Sequence, residues 1–98
     1  MTNTQNLIAN NLTAILDLAY YTNVTIAGNA IEYVVQPDCG MSQTVSIEPN
    51  GDGTIAVTTM AEDMDTLVEA MPAAHLATIL SDDFDAASNA HTRAFPHA

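Results

Sequence analysis

The 98-residue sequence contains almost no positive charge: Arg93 is its one arginine, and lysine is absent. Twelve Asp and Glu residues give a formal net charge of -11 at pH 7. Charged residues are nevertheless only 13% of the chain, where about 25% is typical. The negative charge therefore comes from the near absence of Lys and Arg and not from an excess of Asp and Glu. Such a surface repels nucleic acid and anionic membranes and attracts basic proteins at long range. The simpler interpretation is that the charge keeps the protein soluble.

Several other absences limit the class of protein. Cys39 is the single cysteine, which excludes an internal disulfide bond. Tryptophan is absent and aromatic residues are 5% of the chain, so the core must consist mostly of Leu, Ile, Val, Ala and Met. The sequence shows no signal segment and no apolar run of about 18 residues, so we expect no membrane partner. The length predicts one domain over residues 1–98, in which residues 91–98 form a loosely held tail.

Signatures of catalysis and of metal binding are also missing. The chain has no G-x-S-x-G elbow and no glycine-rich phosphate loop. His75, His91 and His97 lack the spacing of metal ligands, and the stretches NGDG and DDFD lack the closing Glu of a calcium loop. We therefore expect a protein that is not an enzyme and that uses no cofactor and no metal.

The apolar periodicity predicts an α+β fold that begins with a helix. Over residues 4–21, apolar side chains recur at three- and four-residue steps, as in an amphipathic helix. The residues of this predicted buried face are Ile8, Leu12, Ile15, Leu16 and Ala19.

Four strands are predicted next, around two turns. Gly28-Asn29 separates two β-rich runs and is typical of a two-residue hairpin, and residues 50–53 predict a second turn. Residues 36–41 break the pattern between the two hairpins. Alternation predicts an antiparallel meander with one buried face, made of Ile31, Tyr33, Val35, Val45, Ile47, Ile55 and Val57. The side chains predicted for the exposed face are Glu32, Thr44, Ser46, Glu48, Ala56 and Thr58.

The last third of the chain is predicted to be helical. Residues 59–62 match the T-x-x-E capping box, and a buried stripe would follow at helical spacing. Pro72 would open a further short helix, and Ser81 would cap another. The predicted stripe consists of Met64, Leu67, Val68 and Met71, and the next helix would bury Leu76 and Leu80. The complete prediction is a two-layer fold: an N-terminal helix, an antiparallel four-stranded meander, and C-terminal helices packed on one sheet face.

The predicted helix over residues 61–71 carries the first candidate site. Glu62, Asp65 and Glu69 would form an outward ridge, with Asp63 at its flank. Successive carboxylates would lie about 4–6 Å apart along the helix axis, a spacing comparable to that of neighbouring phosphates. A Lys- or Arg-lined cleft for a phosphate backbone could accept such a ridge. The alternative is a solvated helix face, although such faces usually interleave basic residues.

A second acidic cluster consists of Asp82, Asp83 and Asp85. Helix capping alone would explain these carboxylates, because a first turn favours negative charge. If the cluster lies beside the first ridge, the two form one larger partner-binding patch.

In its size, its near-total lack of Lys and Arg, and these two clusters, the chain resembles small acidic phage proteins that inhibit host defence. Anti-CRISPR proteins and DNA-mimic antirestriction proteins are the examples, and the resemblance is one of overall character rather than of any motif. It implies an inhibitor, acting in the cytoplasm of a bacterial host cell, that blocks the DNA or RNA site of a basic nucleic-acid-binding protein. A CRISPR effector or nuclease subunit would be that partner, with no direct contact to nucleic acid.

DNA mimics often carry more acid than this chain, which leaves room for an inhibitor with a mixed polar and apolar face. Tyr20, Tyr21 and Tyr33 are then candidate contacts, or else core residues. The chain is also similar to small acidic secretion chaperones and adaptors, which combine a helix, a meander and a helix. That similarity implies an apolar groove for a client protein, and a homodimer is left open.

Overall fold

The computed structural model describes residues 3–35, 42–61 and 65–94, with side chains as far as residue 92. Within these ranges the helices are α1 (Asn3–Asn10), α2 (Leu12–Ala19) and α3 (Leu76–Ala94), the last preceded by a 3-10 turn at Ala73–His75. The strands are β1 (Thr25–Ala27), β2 (Ala30–Val35), β3 (Gln43–Pro49), β4 (Thr54–Ala61) and β5 (Leu67–Pro72). They form one antiparallel sheet in the order β1-β2-β3-β4-β5. The α+β prediction is confirmed, but the predicted four-strand count is one too few.

Both predicted turns are present. Gly28 has a φ of +63°, the left-handed conformation that a two-residue hairpin requires, and Ala27 pairs with Ala30 across it. In the β3–β4 turn, Oδ1 of Asp52 accepts a hydrogen bond from the backbone N–H of Thr54 at 3.0 Å. These local bonds set the register of the strands that they join.

The buried face of the sheet is the predicted one. Every strand residue assigned to it is buried, whereas the opposite face is half-buried or exposed. Helix α1 contacts β3, and α3 contacts both α2 and β2, so the helices cover the buried face. The core residues shared by the two layers are Leu7, Ile15, Leu18, Ile31, Tyr33, Val35, Val45, Ile47, Ile55, Val57, Leu76, Leu80 and Ala87.

The predicted helix over residues 4–21 is divided into two helices at Asn11. The backbone of Asn11 has φ of -126° and ψ of 21°, and its side-chain amide donates to the carbonyl of Leu7 at 2.9 Å. Asn competes for backbone partners in this way, which interrupts the helical ladder. The break changes the face that α2 turns to the core: Leu18 is fully buried, whereas Leu16 is exposed. The predicted burial of Leu12, Leu16 and Ala19 is therefore wrong.

The predicted helix over residues 61–71 is also wrong, because the described part of this segment is the fifth strand. In β5, Ile55 pairs with Met71 and Thr58 pairs with Val68. Leu67 and Val68 are 55% and 60% exposed, so they do not form the predicted buried stripe, and Met71 is half-buried. Met64 lies outside the described ranges. As a strand, this segment forms six cross-strand residue pairs with β4, which an isolated helix would lack. These pairings explain why the helical spacing of its apolar residues does not determine the structure.

The final helix is longer than predicted. Leu76 and Leu80 are buried as expected, but α3 continues without a break through Ser81, which is an interior residue rather than a cap. The ring of His91 lies 5.4 Å from the ring of Tyr21, so the start of the predicted tail packs on the segment that follows α2. Residues 95–98 lie outside the described part of the chain.

Candidate partner-binding surface

The acidic residues of the first predicted cluster do not form a helical ridge. Glu62 and Asp63 lie outside the described residues, whereas Asp65 precedes β5 and Glu69 lies within it, both exposed. Glu69 pairs with Val57, so its side chain leaves the sheet on the helix-covered face, at the edge. Four residues of extended chain span as much as about 13 Å, compared with about 6 Å in a helix. The helical geometry from which the close spacing of Asp65 and Glu69 was predicted is therefore absent.

The second cluster lies in the interior of α3 rather than in its first turn. Asp82 and Asp85 are exposed and three residues apart, which places them on neighbouring positions of the helix surface. Asp83 is half-buried and faces the sheet, where its Oδ2 atom accepts a hydrogen bond from the phenolic O–H of Tyr33 at 2.5 Å. The helix thus presents two of the three carboxylates to solvent and uses the third to contact β2.

The environment of Asp83 changes the proton affinity of both partners. Burial raises the pKa of Asp83 above its ordinary value of 3.8, and the nearby charge of Asp82 raises it further. The hydrogen bond from Tyr33 stabilises the carboxylate and opposes that rise. Burial is also the main reason why the pKa of Tyr33 is raised, and the negative charge of Asp83 adds to it. Tyr33 therefore remains a neutral donor, and it belongs to the core rather than to a contact surface.

An exposed apolar stripe runs along α2. Leu12, Leu16 and Tyr20 are 48%, 60% and 78% exposed, and they recur at four-residue steps. The rings of Tyr20 and Tyr21 pack edge to face with centroids 4.9 Å apart. The spacing of the stripe is readable in the sequence, but sequence reasoning assigned the two leucines to the core.

Beside this stripe lies a shallow groove of about 290 Å³ between α2 and α3. Its lining is mostly apolar, with one carboxylate, and consists of Leu16, Asp17, Tyr20, Tyr21 and Phe84. Within this lining, the rings of Tyr21 and Phe84 have centroids 5.5 Å apart. Tyrosine supplies contact area together with a polar group, which suits a protein interface.

Strand β5 is an edge of the sheet, and no other strand of the described residues pairs with its outer side. The backbone N–H of Ala73 donates to the carbonyl of Gly53 at 3.0 Å, which fixes the direction of the backbone groups where β5 leaves β4. Backbone groups in an antiparallel ladder alternate between the two sides of a strand. Counting back from Ala73, the residues bonded to β4 are Leu67, Glu69 and Met71. Val68 and Ala70 therefore direct their N–H and C=O groups away from the sheet.

Other features of the described residues are a second cleft and the positions of the histidines. A cleft of about 180 Å³ lies between α1 and the β3–β4 turn, with Asn3, Asn6 and Asn10 on one wall and no titratable side chain in its lining. Among the described residues, no three His, Cys, Asp or Glu side chains are grouped so that they could hold a metal ion. His75 is exposed, and His97 and Cys39 fall outside the described ranges.

In the part of the chain that the structure covers, no helix is both long enough and apolar enough to cross a membrane. Comparisons with protein-family profiles, with curated proteins and with solved structures each give no match.

Proposed function

We propose that this protein is an acidic inhibitor that binds a basic, nucleic-acid-binding protein and covers its DNA or RNA site. The observation that carries the proposal is the exposure of Asp65, Glu69, Asp82 and Asp85 in a chain with a single basic residue. A bacterial CRISPR effector or nuclease subunit is the class of target, because its nucleic-acid groove offers the Lys and Arg side chains that this surface lacks.

The net charge of -11 would mainly raise the rate at which the protein associates with its partner. Uncompensated carboxylates attract a cationic groove over a Debye length and raise the association rate, and salt screens that attraction. Because Asp65 precedes β5, Glu69 lies on it, and Asp82 and Asp85 lie on α3, the contact that we propose is broader than the closely spaced row expected from a helix. Asp83 is not part of this contact, since it bonds Tyr33.

The test is capture of proteins from bacterial lysate at about 50 mM and about 500 mM salt, followed by identification of the retained protein. The proposal requires a basic nucleic-acid-binding protein that is retained at low salt and largely lost at high salt. The purified partner should then release labelled nucleic acid when this protein is added. Retention of partners that do not bind nucleic acid would refute the proposal.

Paired charge variants locate the contact. We expect Asp65→Asn/Glu69→Gln and Asp82→Asn/Asp85→Asn each to weaken binding by roughly thirtyfold, since each variant removes two charges and each close charge pair contributes about 1 kcal/mol. The control, Glu32→Gln/Glu48→Gln, also removes two charges but does so from the sheet face that the helices do not cover. An equal loss in the control would mean that only net charge matters.

A chaperone or adaptor is the second candidate function, and the exposed stripe of α2 is the observation that favours it. A client or a second copy would then bind Leu12, Leu16 and Tyr20 through apolar contact, with little dependence on salt. Leu12→Lys/Leu16→Lys would abolish such binding, whereas Ile26→Lys, at a side chain 52% exposed on β1, would not. Light scattering at high salt measures the dimer, and unchanged association of the double variant would exclude this function.

A further inference from the structure

We propose that the open edge of β5 takes up an extended, Lys- or Arg-rich segment of the partner as a sixth strand of the sheet. This inference rests on the proposed function, because it specifies how the basic partner would be held. A strand added to a sheet edge gains affinity from main-chain hydrogen bonds and specificity from alternate side chains.

The backbone supplies the first argument. Val68 and Ala70 each direct one N–H donor and one C=O acceptor outward, and the side chains of residues 67–70 are all exposed. The opposite edge of the sheet, β1, is three residues long, whereas β5 has six. Proteins usually shorten or cover an edge strand, because open edges recruit other chains. Strand β5 therefore has the length and exposure of a docking edge.

The side chains of β5 indicate the sequence of the added strand. Glu69 points to the helix-covered side, and Val68, 60% exposed, points to the other side. An added strand would place alternate side chains on the same two sides. Basic residues would lie beside Glu69 and apolar residues beside Val68, so a segment that alternates Lys or Arg with Val or Ile fits best.

Charge decides between a basic partner and a second copy of this chain. The antiparallel self-pairing that uses the outward groups of both Val68 and Ala70 places Glu69 directly opposite Glu69 of the second copy. Like charges opposite each other on a sheet are destabilising, and each copy also carries a net charge of -11. A strand with basic side chains opposite Glu69 would be attracted to this edge instead of repelled by it.

The test uses a fluorescent peptide of alternating Lys and Val residues and a second peptide of identical sequence that is methylated on the backbone nitrogens of its Val residues, which face β5 when the peptide pairs antiparallel to it. Methylation removes backbone donors and leaves the charge unchanged. The protein variants are Ala70→Pro, which removes an outward N–H, and Ala70→Val, which retains it. Anisotropy at about 50 mM salt measures affinity, and amide hydrogen exchange of the unaltered protein reports on Val68 and Ala70 directly.

We expect the methylated peptide to bind the unaltered protein at least about tenfold more weakly than the parent peptide does. The Ala70→Pro variant should bind the parent peptide more weakly by a similar factor, whereas the Ala70→Val variant should bind it with unchanged affinity. The amides of Val68 and Ala70 should exchange more slowly in the complex. Equal affinity for the two peptides, or binding without this protection, would overturn strand addition and leave the proposed inhibitor function standing.

Two further results would also overturn strand addition. One is slow exchange of the Val68 and Ala70 amides in a free dimeric protein, which would assign the edge to a second copy. The other is no binding of the parent peptide at low salt. The lysate capture and its charge variants test the proposed function separately, because they do not depend on the backbone of β5.

Discussion

The phenolic oxygen of Tyr33 on β2 lies 2.5 Å from Oδ2 of Asp83 on α3, and this hydrogen bond joins the two layers of the fold across 50 residues of sequence. Tyr33 is 2% exposed, so a phenol without an acceptor or a carboxylate without a donor would be unfavourable there. The contact ties the position of α3, and hence of Asp82 and Asp85, to the buried face of the sheet.

Removal of the Tyr33 hydroxyl should destabilise the fold. We expect Tyr33→Phe to lower the free energy of unfolding by about 1–3 kcal/mol at neutral pH, because the half-buried Asp83 carboxylate loses its donor. The loss should be smaller in acid, where Asp83 is protonated. Urea denaturation measures both values. Tyr20→Phe is the control, since this side chain is 78% exposed and should change stability by less than about 0.5 kcal/mol.

The pH dependence of stability should show the burial of Asp83. Its pKa in the folded state is raised above 3.8, so its favourable contribution is complete below that value and is lost as pH rises through the folded pKa. We expect Asp83→Asn to reduce this fall in stability between about pH 4 and about pH 7. Asp82→Asn should reduce it less, because Asp82 raises the pKa of Asp83 only through its charge.

The pKa of Asp52 is shifted in the opposite direction to that of Asp83, so its effect on the pH dependence of stability is also opposite. Hydrogen bonds from Thr54 lower the pKa of Asp52, so its contribution is present above 3.8 and is lost as pH falls. We therefore expect Asp52→Asn to reduce the loss of stability in acid.

Parallel pH profiles for the unaltered protein and Asp83→Asn would contradict the assignment of the neutral-pH fall in stability to Asp83.

The face of α2 that meets the core can be tested with two leucines. Leu18 is fully buried and Leu16 is 60% exposed. We expect Leu18→Ala to lower the free energy of unfolding by about 2–5 kcal/mol and Leu16→Ala to lower it by less than about 1 kcal/mol. Thermal or urea denaturation of the two variants gives the comparison. The reverse order would mean that α2 follows the uninterrupted amphipathic pattern predicted for residues 4–21.

Proline substitutions distinguish a strand from a helix over residues 67–72. Glu69→Pro should be strongly destabilising because it removes an N–H that bonds β4, whereas Ala70→Pro removes an outward N–H and should retain the fold. In a helix interior, both substitutions would cost about 3 kcal/mol. Circular dichroism and urea denaturation measure the difference. Similar losses in the two variants would contradict the alternation of backbone bonds along β5.

The elements that sequence reasoning predicted well are those with local determinants. The turn at Gly28 requires a positive φ, and alternation over β2, β3 and β4 distinguishes a buried face from an exposed one. Strand β5 was missed because its segment satisfies two patterns at once. Leu67, Val68 and Met71 fit a helical stripe, and the register with β4 that overrides this stripe is a nonlocal interaction.

The arrangement of the acidic residues in the second cluster could not be predicted from the sequence. Ser81 followed by three aspartates is typical of a helix start, yet α3 already begins at Leu76, so these residues lie in its interior. Asp83 accepts a hydrogen bond from Tyr33, which lies 50 residues away in the sequence, and no local pattern relates the two residues. Asp82 and Asp85 remain exposed, as a partner-binding role requires.

Each strand of the sheet pairs with the strand that precedes or follows it in the chain, from β1 through β5. Such a meander closes by a series of short loops, so the entropy lost in each step of folding is small. A chain of this topology can assemble hairpin by hairpin before α1 and α3 dock, and its refolding should be faster than that of a sheet with crossovers. Rapid recovery after unfolding would limit the time during which the apolar residues of the buried sheet face are exposed to other unfolded chains.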